Sequence, residues 1–436
     1  LAPGFVDAHM HLESSKMWVS EYVKAVLPYG TTAVAADPHE IANVAGMDGI
    51  RALIDAAEHL PFTFGVAASS CVPESPFASA GAAFTVKEVR ALIEEHGAIG
   101  VAEVMNYPAV INGDPMFRDI IATAGWRRVD GHAPGLRGPQ LDAYLAAGVE
   151  SDHEVFELDE AHEKRQKGMW VFLRQGSVSQ DLVRLLPTVV SHGTTATSFC
   201  TDDREPDLLR DEGHLNHCIR LAVESGLSVI DALCVASYYP AQYHNFFHLG
   251  SLGPGYQADV VVFDKLEGFV PSMVLQKGRV VARNGKIVDG IVPPTSPPAS
   301  LYNRINLHHL PTPAELTIEP PASGMANVIG VWSGTVRTKA LQLNVTDPSI
   351  DVARIAVVER HKATGRIGLG YLSGYGMTRG AIASTVAHDA HNIMVVGARD
   401  ESGPADMAVA IARGVVESIP EAASVVFIEP TALTLE

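Results

Sequence analysis

The stretch GFVDAHMHLESS, residues 4–15, ends an apolar run in two histidines one residue apart, followed by an acid and two hydroxyls. Side chains of an extended strand alternate between its faces, so His9 and His11 fall on one side, together with Asp7. Two imidazoles on one face can grip a single metal ion. Acids and histidines recur after other short apolar runs: Asp37 with His39, Glu103, His132, His153 with Glu154, and Asp202 with Asp203. Burying so many ionisable groups is costly unless they serve one another or a cation.

The elements that would carry them follow one rhythm from Leu1 to about Gly226: a β-branched apolar run, a polar residue, then an amphipathic stretch. The runs are GFVDAHMH (4–11), TTAVAADPH (31–39), FTFGVAASS (62–70), AIGVAEVM (98–105), RRVDGHAP (127–134), GVESDHE (148–154), MWVFLRQGS (169–177) and TTATSFCTDD (194–203). Helix-like segments such as VSEYVKAVLPYG, MDGIRALIDAAEHL, TVKEVRALIEEHG, RGPQLDAYLAAG and SQDLVRLLPTVVSHG separate them, several ending at glycine. Alternating strand and helix implies an α/β fold with a parallel sheet, and eight units in about two hundred residues match a (β/α)8 TIM-type barrel. In such a barrel the active site lies at the C-terminal strand ends, where all these polar residues would converge.

Composition bounds the function. The 436 residues are 47% hydrophobic, 19% charged and 7% aromatic, a globular profile. A net charge of -18 argues against nucleic acid as a partner. Four scattered cysteines without a CxxC pair argue against a disulfide framework and a thiolate zinc site, and fit a cytoplasmic protein. With no run of eighteen apolar residues, no membrane partner is expected. The chain opens at Leu1 inside an apolar segment, so an N-terminal piece is expected to be missing.

Three regions are expected: a (β/α)8 barrel over 1–240, a small β-sandwich part over 241–292, and a C-terminal α+β domain over 302–436. Asn284-Gly285 suits a type I′ hairpin turn, and IVPPTSPPASL (291–301) reads as a linker. In the last region ANVIGVW, ALQLNV and IAVVER read as strands, residues 365–380 as a glycine-rich loop, and ADMAVAIARGVVESI as a helix. The glycines lack the strand, turn and helix order of a dinucleotide site.

PGFVDAHMHLESS, the separated DGHAPG and SDHE, SFCTDD and LGSLGPGYQADVVVFD together resemble the amidohydrolase superfamily. DPHEIANVAG, AEVMNYPAVINGD, CTDDREP and VAHDAHNI resemble, more narrowly, the bacterial and archaeal adenine deaminases. That resemblance implies hydrolysis of adenine to hypoxanthine and ammonia, a step of purine salvage or adenine catabolism, and it alone suggests a homo-oligomer. It implies His9 and His11 as ligands of a more buried ion, His132 and His153 of a more exposed one, and Asp202 closing the site. Glu103 stands where many relatives carry a carboxylated lysine, and a glutamate is already a bidentate anionic bridge. Asp202 is preferred to Asp203 because it comes first after the strand.

Nitrogen and oxygen donors of this kind suit two divalent transition-metal ions, Zn, Mn or Fe(II), and disfavour Mg or Ca; the resemblance puts Mn or Fe(II) first. A metal-bridging hydroxide would attack C6, while Asp202 accepts its proton and delivers it to the departing amine. Weaker candidates surround this set. Asp37, His39 and Glu40 of DPHE would orient adenine, support the ligands or take a further ion, unless they are simply a structured loop; Asp203 would support the ligands or the substrate, and the His388–Asp389 pair of HDAHN would help cover the substrate unless it is a structural turn. Glu13 and Ser14 are open between supporting the ligands and capping a helix, Glu154 is expected to point away from the ligands with a proton-shuttle role left open, and His214, His217 and Cys218 to form a solvated or packing face.

No functional residue is expected in the last twenty positions. Two alternatives stand beside this reading. One is another binuclear amidohydrolase acting on a cyclic amide or a different aminated heterocycle; the other is a non-catalytic purine-binding protein that kept the fold. Cytidine-deaminase zinc chemistry is excluded, since no PCxxC is present.

Overall fold

The structure is a computed structural model that describes residues 1–417. The last twenty positions and the end of the expected C-terminal helix lie almost wholly outside the described residues. The chain divides into two compact units, one of Leu1–His39, Gly49–Ser75 and Phe84–Pro297, the other of Glu40–Asp48, Pro76–Ala83 and the chain from Pro298 on.

In the first unit a two-residue strand, β1 (Ala2–Pro3), precedes eight strands that each fall inside one of the eight apolar runs. These are β2 (Phe5–Met10), β3 (Thr31–Ala36), β4 (Thr63–Val66), β5 (Gly100–Val104), β6 (Arg128–Gly131), β7 (Ser151–Asp152), β8 (Trp170–Arg174) and β9 (Thr197–Cys200). Every residue of β2, β3 and β5 is buried, which is why these runs read as continuous apolar segments and not as alternating ones. Parallel ladders join β2 to β3 to β4, β5 to β6, and β7 to β8 to β9. Single links connect these groups in chain order: Ala68 bridges Val101, Glu150 donates its N–H to the Val129 carbonyl at 3.0 Å, and Met10 bridges Asp202.

The helices between them start where local chemistry dictates. Thr85 and Glu88 form a capping box on the helix Val86–Glu94. Pro187 divides the expected single helix over 179–193 into Leu182–Leu185 and Pro187–His192, because proline is tolerated in a first turn but not in an interior. DPHE is not a loop throughout: the helix Val19–Val26 has its counterpart after β3 in a helix, His39–Ala57, that begins inside the motif.

A second sheet of this unit orders β1 with β10 (Val260–Val262), β11 (Met273–Gln276), β12 (Arg279–Arg283) and β13 (Lys286–Ile287), all antiparallel. Asn284 and Gly285 both have positive φ, 49° and 74°, as the type I′ turn requires.

The second unit contains a six-stranded sheet of β14 (Met325–Gly330), β15 (Lys339–Asn344), β16 (Ala353–Val358), β17 (Ile367–Ser373), β18 (Ala381–Ala387) and β19 (Asn392–Gly397). Its order is β15-β14-β17-β16-β19-β18. The glycine-rich stretch read as a loop is strand in its first half: β17 pairs with β16 from Ala353 opposite Leu372 to Val358 opposite Ile367. Met407 and Ile411 of the helix Gly403–Glu417 join Ala356, Val358, Ile393 and Val395 in one buried cluster. A Cβ on Gly397 would lie 2.4 Å from Met407 Cγ, so this close approach needs glycine.

Candidate active site

His9 lies on β2 and His11 just beyond its end, where β2 meets the end of β9 through two backbone bonds: Asp202 N–H to the His9 carbonyl at 3.0 Å and His11 N–H to the Asp202 carbonyl at 3.2 Å. Asp7 does not join the histidines. Its buried carboxylate turns to accept from the Thr201 N–H (3.1 Å) and hydroxyl (2.6 Å), which ties down the chain entering Asp202. Burial pushes the Asp7 carboxyl up to about 7, with the Thr201 bonds opposing. Asp202 itself has a φ of 54°, a left-handed conformation that an aspartate tolerates better than most residues.

The two histidines meet at their Nε2 atoms, 3.2 Å apart. His11 Nδ1 is 2.9 Å from the Asp37 carbonyl, which can only accept, so Nδ1 carries the proton and Nε2 faces the cluster. Asp202 Oδ1 lies 3.1 Å from His11 Nε2 and 3.8 Å from His9 Nε2.

Glu103, at the end of β5, faces two ways. Its Oε1 lies 3.4 Å from His11 Nε2, 3.9 Å from His9 Nε2 and 3.5 Å from His39 Nδ1. Its Oε2 lies 2.5 Å from His132 Nδ1 and 3.3 Å from His153 Nε2. The His9 and His153 rings stack with centroids 3.9 Å apart, so the two histidine sets are contiguous. All six side chains are buried except His132, which keeps about a quarter of its surface exposed.

Electrostatics follow from this crowding. Burial would raise Glu103, but the neighbouring His132 and His153 hold it well below the usual carboxylate range. Burial would likewise raise Asp202, but Arg174 and the hydrogen bond to His11 keep it well below. Burial and then the neighbouring His153 and His11 push His9 down, whereas the bond to Asp202 outweighs burial at His11 and holds it well up. His132 rises to about 9 against burial because of Glu103. Acceptors gathered this closely favour a proton or a divalent cation alike. His153 Nδ1, buried without a hydrogen-bond partner among the described residues, adds a further donor atom to a set of nitrogen and oxygen only. The residues present fit a transition-metal centre.

Around this core the structure brings Asp37 and His39 close: His39 Nδ1 is 3.2 Å from Asp37 Oδ2, and Ser69 donates to Asp37 Oδ1 at 2.8 Å. His11, Asp37, His39 and Glu103 form one buried group able to hold a metal. Asp203 accepts from Ser14 Oγ and groups with His11 and Asp202. Glu40 lies in the second unit, where His391 Nε2 is 2.5 Å and His388 Nδ1 is 3.3 Å from its carboxylate, with Asp389 beside His388.

Glu154 does not simply point away. It pairs with Arg174, a fully buried guanidinium that also holds Asp202 Oδ2 at 2.6 Å and Asp181 Oδ2 at 3.2 Å. His214, His217 and Cys218 form the packing face and not the solvated one: all three are buried, with His214 Nδ1 2.8 Å from Thr31 Oγ1 and Nε2 3.2 Å from Tyr22 Oη. Sequence reasoning missed Arg174; the only signal was a lone basic residue at the end of an apolar run.

Buried imidazoles and carboxylates at the ends of parallel strands, on a chain whose residues 1–293 match the amidohydrolase family, define an amidohydrolase, a hydrolase of C–N bonds. Residues 333–417 match the adenine deaminase C-terminal domain. Adenine deaminase 2 of Carboxydothermus hydrogenoformans is 40% identical over 410 residues, covering 92% of this chain and 71% of the relative. Adenine deaminases of Nitratidesulfovibrio vulgaris (41% over 421 residues, 94% and 72%) and Methanothrix thermoacetophila (40% over 413 residues, 92% and 71%) are similarly close. The chain belongs to the adenine deaminase family.

Proposed function

We propose that this chain hydrolyses adenine to hypoxanthine and ammonia at the cluster around Glu103. One observation carries the reading: the two oxygens of Glu103 face different histidine sets, Oε1 toward His9 and His11, Oε2 toward His132 and His153. A carboxylate so placed suits two neighbouring cations. His9, His11 and Asp202 would hold one ion and His132 and His153 the other, with Glu103 shared between them. Mn and Fe(II) are the favoured ions and Zn is compatible with the same donors. Bound there, such ions would supply Lewis acidity that brings the pKa of water toward neutrality and so would make a nucleophile available.

The protein side of the reaction is a proton relay. Asp202 Oδ1 faces the histidines while Oδ2 is held by Arg174, so one oxygen stays in place to take a proton. The proton taken there would pass to the amine, which must receive one to leave as ammonia. Asp37 and His39, hydrogen-bonded to each other beside Glu103, are placed to orient the purine ring.

The eight parallel strands work as one closed barrel in this reading. Support comes from strand links that run in chain order and return from Asp202 to Met10. The barrel over 1–240, the small sheet over 241–292 and the α+β region over 302–436 are the corresponding division. The test is a panel: metal-loaded protein is offered adenine, other aminated heterocycles and cyclic amides, with products separated by chromatography. Hypoxanthine from adenine alone is expected; turnover of a cyclic amide with adenine untouched would reject the proposal.

A further inference from the structure

Lys164 is the one lysine among the described residues whose side chain is fully buried, and the reaction as described does not use it. It sits on the helix Leu158–Gln166, and its ammonium makes three hydrogen bonds, the number it can donate. Nζ donates to the Ala133 carbonyl at 2.7 Å, to Asp152 Oδ2 at 2.5 Å and to Glu160 Oε1 at 2.5 Å. Each acceptor leads back to the histidines of one side of the site. Ala133 follows His132, and Asp152 precedes His153.

Asp152 Oδ1 in turn accepts the N–H of Ala133 at 3.3 Å and of Glu154 at 2.8 Å, while Glu160 Oε1 accepts the N–H of Gly135 at 2.8 Å. One ammonium and two carboxylates thus fasten the backbone directly after His132 and on both sides of His153. No bond of this group reaches His9, His11 or Asp202. A buried ion cluster is weak evidence for stability, because apolar packing of the same volume often stabilises as well. What the cluster does achieve is fixed spacing between two strand ends.

We infer that Lys164 is a positioning residue: through Asp152 and the Ala133 carbonyl it sets His132 and His153 at the separation needed to hold, with Glu103 Oε2, one of two metal ions. This rests on the metal reading of the site. It concerns one ion only, which separates it from a general contribution to folding.

The test uses the full chain stripped of metal and titrated with Mn2+, free Mn2+ being counted by its electron paramagnetic resonance signal. Lys164→Met removes the ammonium; Asp152→Asn keeps the shape and an oxygen for the Ala133 and Glu154 N–H groups but loses the charge pair. The wild-type chain is expected to take up two equivalents. In the variants one equivalent keeps its affinity and the other weakens by about 10- to 100-fold, the usual effect of losing a partner that orients metal ligands. Unchanged binding of both equivalents in a variant that melts cooperatively would overturn the inference, as would equal weakening of both. Failure of both variants to melt cooperatively would overturn it too, by making the cluster a requirement of the fold. A wild-type chain that takes up no Mn2+ would reject the metal reading itself, before any variant is compared.

Discussion

Arg174→Met separates the proton relay from the rest of the site. The guanidinium lies 2.6 Å from Asp202 Oδ2 and 3.2 Å from Asp181 Oδ2, and it also pairs with Glu154. At an effective dielectric of about 20 the first contact is worth about 6 kcal/mol and the second about 5. Desolvation offsets much of this, and breaking a buried pair typically costs about 3–5 kcal/mol because the partner charge is stranded. Asp181 keeps Arg184 and Asp202 keeps His11, so the loss falls chiefly on Glu154, and the variant should lose stability within that range, read as a lower urea midpoint. Asp202 would also lose the contact that holds Oδ2, and displacement of about 1 Å in a reacting group costs on the order of 100-fold in rate. The expected result, with metal supplied in excess, is a kcat for adenine about 100-fold lower and KM little changed. Parental kcat in a variant that binds its metal would refute the role given to Arg174.

Asp202→Asn should lower kcat by about 10²- to 10⁴-fold, whereas Asp203→Asn, whose carboxylate accepts from Ser14, should cost much less; equal losses would show that the wrong aspartate was chosen. Burial, helped by Arg360, pushes the His361 imidazole down to about 4, while Nε2 donates to the Ala390 carbonyl at 2.7 Å. The unfolded chain therefore takes up a proton that the folded chain refuses as pH falls from about 6.5 to about 4, and stability drops by about 3 kcal/mol over that window. His361→Gln should flatten this part of the urea-midpoint profile, and an unchanged slope would rule out the burial. Burial pushes the Cys218 thiol up to about 12, raises Cys71 and Cys200 as well, and raises half-buried Cys234. A thiol reagent should accordingly modify Cys234 first in the folded chain, and fast modification of Cys218 would contradict the packing.

Much of the first unit could be read from the chain because its strands are buried on both faces, so apolar runs mark them and the polar residue ending each run is conspicuous. His9, His11, Glu103, His132, His153 and Asp202 were all visible in this way. What was hidden is the ionic support. LDEAHEKRQ, residues 158–166, has no apolar stripe to mark a buried face, yet Glu160 and Lys164 are buried because their charged groups face each other, Asp152 and the loop after His132. Arg174 is hidden for the same reason: a charge looks exposed until its partners are known. The glycines of IGLGYLS suggested a loop, and pairing with β16 and β14 makes that stretch a strand. Helix boundaries inside DPHE were equally illegible, since proline and an acid suit a loop as well as a first turn.

Ammonia release from adenine, measured on protein reconstituted separately with Mn, Fe(II) and Zn beside a Glu103→Gln variant, tests the central claim most directly. Metal-dependent release by the parent chain, lost in the variant together with one or both bound ions, is the predicted result. Equal release by the variant, or none from folded and metal-loaded parent chain, would contradict a deaminase built around Glu103.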